Sequence, residues 1–141
     1  MSIVVCTPGG PAQDALVEAG QEQARQAGRD LVLVRHVKLP GFEHDVDQEM
    51  TAAADVRTQL EATATTVSER GVSCRALVVT SGDDNPSTAL LEAVADAEAS
   101  LLVIGIRARS RVGKLLLGST TQDLLLAAGR PVLCVPVEAR H

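Results

Sequence analysis

The sequence predicts a single α/β domain: a parallel sheet with helices on both faces. Three observations predict it. Short β-branched runs alternate with longer Ala-rich stretches in the order βαβαβαβαβ. Strand-like runs such as LVLV and LLVI are almost continuously apolar, as in strands buried on both faces. The length of 141 residues suits one domain with a well-buried core and is too short for two.

The elements follow in order. Ser2 to Thr7 reads as a strand stopped by Pro8-Gly9-Gly10. Pro11 suits the first position of a helix, and Asp14 sets a carboxylate in its first turn. That helix runs to Ala27, where Gly28 stops it. Leu31 to Val37 is the second strand, and Lys38 to Asp47 a loop. Gln48 to Arg70 is the longest helix, with Ala53, Val56, Leu60, Ala64 and Val67 at helical spacing. Val72 to Val79 is the third strand. Asn85-Pro86 supplies an N-cap side chain and then a proline for a third helix that ends near Ala97 to Ser100. Leu101 to Gly105 is the fourth strand, Ser119 to Ala128 the last helix, and Pro131 to Val137 the fifth strand. Residues 1–137 are the expected domain, and 138–141 a C-terminal tail.

Composition excludes several functions. One Phe and no Tyr or Trp leave no stacking platform for single-stranded nucleic acid. A net charge of -5 disfavours nucleic acid and anionic membranes as partners. No apolar run reaches the ~18 residues needed to span a bilayer. The first residues carry no basic segment ahead of a long apolar one, so no signal peptide is expected, and the expected compartment is cytoplasmic. Cys6, Cys74 and Cys134 lie far apart and form no CxxC, and His36, His44 and His141 lack ligand spacing, so neither a disulfide framework nor a metal site is expected. Cys6 and Cys134 sit in apolar strands and read as inert. His36 reads as a strand residue satisfied by its surroundings, and Asp83-Asp84 as solvated acids ahead of a helix.

Ligands of open α/β sheets bind beyond the carboxyl ends of the strands. The turn after Gly105 stands out there. Arg107, Arg109, Arg111 and Lys114 bring four basic residues without an acid, leaving nine of the 13 basic residues against 18 acidic ones elsewhere. Gly118-Ser119-Thr120 then opens a helix whose free N–H groups and hydroxyls suit a phosphate. Gly105 closes a strand without a Cβ, which lets a ligand approach the backbone. A structural account also exists: Ser119-x-x-Gln122 matches a capping box, and basic loop residues are commonly just solvated. No GxSxG, HxxE or GxxxxGK[ST] occurs, so no catalytic residue is assigned and no intrinsic reaction is expected.

The stretch VIGIRARSRVGKLLLGSTTQDLLLAAGRPVLCVPV, with Gly105, Ala108, Gly118 and Ser119 at its glycine-motif positions, resembles the C-terminal signature of the universal stress protein (UspA-like) family. The resemblance covers the whole chain. It implies a Rossmann-like, five-stranded parallel sheet in the order 3-2-1-4-5 and a homodimer through the last strand. It also implies a stress-response role with ATP as the bound nucleotide. Adenine and ribose would lie near the ends of strands one and two and phosphates on the glycine-rich loop, which points to Thr7, Val37, Ile104, Gly105, Gly118, Ser119 and Thr120. Two positions depart from the family pattern: Ala108 replaces its second glycine, and Pro8 replaces an acidic residue that many ATP-binding members carry. Pro8 has neither a carboxylate nor an N–H donor. Arg107 and Arg109 offer compensation on the phosphate side. The alternatives are a dimeric interaction module of the same fold that does not bind ATP, and a slow nucleotide hydrolase. The client protein and the stress are not legible in the sequence.

Overall fold

The computed structural model describes residues 1–39, 46–107 and 117–137, with the backbone alone for 46–49. Strand β1 is Ser2–Cys6, followed by one 3-10 turn at Gly10–Ala12 and helix α1 at Gln13–Ala27. Strand β2 (Asp30–Lys38), helix α2 (Val46–Glu69) and strand β3 (Cys74–Ser81) come next. Helix α3 (Ser87–Asp96), strand β4 (Ala99–Arg107), helix α4 (Ser119–Ala127) and strand β5 (Val132–Val137) complete the chain. The five strands form one sheet in the order β3-β2-β1-β4-β5, and every pairing is parallel.

Alternation along each strand divides the core in two. Ile3, Val5, Leu31, Leu33 and Val103 face α1 and α2, where Leu16, Val17, Leu60, Ala64 and Val67 meet them. Val4, Val32, Val34, Leu102 and Ile104 face α3 and α4, against Leu90, Ala93, Val94 and Leu124. The apolar runs are continuous because both faces of the sheet are covered.

The boundaries differ from the sequence reading where the ladder outruns the apolar residues. β2 and β3 stay paired to Lys38 and Ser81, and β4 and β5 to Arg107 and Val137. β4 also starts earlier, at Ala99, after Glu98 turns the chain with φ 51. Ser2 ties this corner down: its Oγ donates to Ala97 O at 2.7 Å.

The capping of two helices also differs. Pro86 is the half-turn flanking α3, and the first helical residue is Ser87. The Asn85 side chain still caps, because its Oδ1 accepts the Ser87 N–H at 3.0 Å. The capping-box reading of α4 is corrected. Gly118 occupies the N-cap with extended backbone and Ser119 is already helical, so its side chain makes no capping bond. Gln122 Nε2 donates back to Leu117 O at 2.9 Å instead.

The close seating of α1 on the sheet requires Gly20. A Cβ there would lie 2.3 Å from Val5 Cγ2 and 3.1 Å from Leu31 Cδ1. Gly20→Ala should destabilise the fold by up to about 2 kcal/mol: overpacking costs ~1–3 kcal/mol and the better helix former returns about 1. A urea unfolding curve checks this, and an unchanged or raised midpoint would show that α1 shifts freely on the sheet.

Candidate functional site

Chain direction creates a cleft. From β1 the first two crossovers lead away to β2 and β3, and the later ones build β4 and β5 on β1's other side. Beyond the carboxyl ends of β1 and β4 the connections therefore diverge, which is where open sheets bind ligands. The cleft found there has a volume of about 380 Å³, within the size range of small-molecule sites. Its floor comes from Cys6, Thr7, Val34, Ile104 and Gly105, and its rim from Pro8, His36, Arg107, Gly118, Thr120 and Thr121.

Six of the ten residues singled out from sequence line this cleft: Thr7, Ile104, Gly105, Arg107, Gly118 and Thr120. Ser119 is exposed at the start of α4 and does not line it. Val37 does not line it either, because its side chain packs with the α1–α2 core. Its neighbour His36 and Val34 take the wall position on β2. Ala108 and Arg109, with the rest of the basic loop at 108–116, lie outside the described residues, as do 40–45 and the tail at 138–141. The space left by the missing Gly105 side chain is lined by protein: a Cβ would come 3.3 Å from Leu16 and 3.5 Å from Val137. That glycine serves the packing of α1 and β5 around it.

The polar groups have defined partners. Thr7 N–H and Oγ1 both donate to Val34 O, at 2.8 and 3.1 Å. His36 Nε2 shares a 2.6 Å hydrogen bond with Ser81 Oγ. Burial holds the His36 ring below the usual histidine range, and the Asp83 carboxylate partly opposes this. At the exposed edge Lys38 pairs with Asp84, and hydrogen bonding and charge from Lys38 hold that carboxyl below its usual range. Asn85 joins the two helices on one face. Its Nδ2 donates to Asp123 Oδ2 at 2.9 Å, while its Oδ1 accepts from Thr120 Oγ1 at 3.1 Å. Ser87 Oγ also donates to Asp123 Oδ2, at 3.0 Å.

Sequence reasoning missed His36, Val34 and Thr121 as cleft residues. The period-two pattern held the signal for β2: Val32 and Val34 share a face, so His36 follows them and Val37 does not.

All three cysteines are free thiols. Burial pushes the Cys6 thiol up to about 12 and Cys74 up to about 11. An unfolded thiol ionises near about 8.5. Below that value neither state ionises, and the buried thiols leave stability unchanged. As pH rises from there through the folded values, the unfolded state releases protons first and stability falls. Native Cys6 should therefore resist iodoacetamide at pH 8 and react in urea. Peptide mapping checks this, and rapid labelling of native Cys6 would contradict its burial.

The family profile described as the Universal stress protein family matches residues 1–136. A "Universal stress protein" of Mycolicibacterium smegmatis is 61% identical over 46 residues, a match spanning 33% of this chain and 35% of that relative. The structure of a universal stress protein from Archaeoglobus fulgidus superposes with a TM-score of 0.74 at 25% identity, covering 96% of this chain and 98% of the other. A structure of the universal stress protein from Archaeoglobus fulgidus in complex with dAMP superposes with a TM-score of 0.69 at 23% identity, covering 96% and 97%. With its profile matched almost end to end and its sheet in the 3-2-1-4-5 order, the chain belongs to the universal stress protein family.

Proposed function

We propose that this chain is a regulatory protein that binds an adenine nucleotide, ATP, in the cleft between β1 and β4, and that it has no reaction of its own. The observation that carries the reading is the cleft itself: about 380 Å³, at the switch in strand order, with Arg107 and the start of α4 on its rim. Gly118 leaves the opening of α4 without a Cβ, and the first N–H groups of that helix suit a phosphate. The relative in complex with dAMP supports an adenine nucleotide as the ligand class. Thr7, Val34 and Ile104 supply a mainly apolar floor for a base.

The interaction-module reading is favoured by Pro8. It lines the cleft without any donor, and it has no carboxylate for a ribose. Mass spectrometry of ligand released from freshly purified protein separates the two: a co-purified adenine nucleotide supports the first and an empty protein the second.

Arg107→Glu provides the quantitative check. Charge reversal on the rim should weaken ATP about tenfold and adenosine less than twofold, because phosphates alone sense the charge. Calorimetry measures both, and equal losses would remove Arg107 from phosphate recognition.

Assembly belongs to the same proposal. β5 is a sheet edge with one intramolecular neighbour, β4. Its residues 132–135 are half-buried and apolar, a composition that invites pairing, and Pro136 limits the ladder. A twofold pairing of β5 with its mate closes that edge. Light scattering at micromolar concentration should give twice the monomer mass, and a monomer would leave the edge unpaired.

A further inference from the structure

We propose that Thr120 is a specificity residue whose hydroxyl accepts a hydrogen bond from the nucleoside half of the ligand and does not hold phosphate. The inference rests on the nucleotide reading above and assigns a role within that cleft. A hydroxyl has one proton and two lone pairs. Thr120 Oγ1 spends its proton on Asn85 Oδ1, at 3.1 Å. The orientation of that amide is fixed by its other partners. Ser87 N–H is a donor and requires Oδ1, while the Asp123 carboxylate is an acceptor and requires Nδ2. Thr120 must therefore donate to Asn85, and toward the cleft that it lines its hydroxyl can only accept.

Thr7 is set the same way. Its hydroxyl proton goes to Val34 O, and the residue lines the floor of the cleft. An ionised phosphate oxygen is also an acceptor and has nothing to offer either hydroxyl. The groups that fit are donors: the ribose hydroxyls and the exocyclic amine of adenine. An acceptor here also replaces what Pro8 lacks. Phosphate recognition is left to groups without that commitment, the N–H groups opening α4 and the Arg107 guanidinium.

The test compares wild type, Thr120→Val and Thr120→Ser by calorimetry against adenosine, AMP and ATP, and against 2′-deoxyadenosine, 3′-deoxyadenosine and purine riboside. Thr120→Val keeps the side-chain shape and leaves Asn85 Oδ1 its Ser87 N–H, so the thermal midpoint should fall by only a few degrees, the loss of one hydrogen bond. Adenosine, AMP and ATP should all weaken by the same factor, about five- to tenfold, and Thr120→Ser should restore them. Wild type and Thr120→Val should bind alike the one analogue that lacks the donor Thr120 reads, which tells sugar from base. A loss confined to ATP would mean that phosphate draws the proton away from Asn85, and would overturn the proposal. So would an unchanged affinity for every ligand. Failure of wild type to bind any of the six would overturn the nucleotide reading itself, and this role with it.

Discussion

β1 is hydrogen-bonded to β2 along one side and β4 along the other, and the cleft exists because of that double pairing. Val4 sits beside Val32 and Leu102 at once, and Val5 beside Leu33 and Val103. The register decides which residues reach each face. A slip of one residue would turn Val4 and Val5 to opposite faces. It would exchange the two cores and carry Thr7 and His36 off the cleft wall. The same pairing sends the two connections apart. After β1 the chain rises through Pro8 and Gly9 into α1 on one face, whereas α4, which follows β4, packs on the other. The cleft is the space between those departures.

The face carrying α3 and α4 is joined at its functional end by polar groups. Leu124 and Ala128 anchor α4 to the core further along, but its first turn is fixed by Asn85 and Asp123. Four hydrogen bonds converge there, and each is worth about 0.5–1.5 kcal/mol, more where the carboxylate accepts. Both oxygen acceptors, Asn85 Oδ1 and Asp123 Oδ2, receive two donors. A network so filled resists rearrangement, since moving one member strands another. The start of α4 is thereby held in place, and with it the free N–H groups of its first turn.

The fold was legible because its signal is local. LVLV and LLVI announce strands without any knowledge of their neighbours, and the glycine at 28 ends a helix by its left-handed conformation, φ 65. The strand ends were not legible. Lys38, Thr80 to Ser81 and Ile106 to Arg107 lie in the ladder because the adjacent strand holds them there. Site residues divided along the same line. Gly118 and Arg107 were marked by helix chemistry and charge, both visible along the chain. His36 displaced Val37 because the phase of alternation on β2 is fixed by packing, with Val34 against α3 and Val37 against α1 and α2. The Asn85–Thr120 bond joins residues 35 positions apart. No pattern within either segment announces it.

Charge acts on the cleft at two ranges, and they oppose one another. The chain as a whole carries -5, which repels a nucleotide approaching from solution. At physiological ionic strength that repulsion is screened beyond about 8 Å, so most of the acidic residues are felt weakly at the cleft. Groups on the rim act within that distance. Arg107 is there with its charge. Asp123 lies on α4, yet its carboxylate is occupied by Asn85 and Ser87 at the start of α3, where negative charge is favoured by the helix dipole. The Asp123 carboxylate is thus turned to the start of a neighbouring helix, while Arg107 sets a positive charge on the rim of the cleft of an acidic protein.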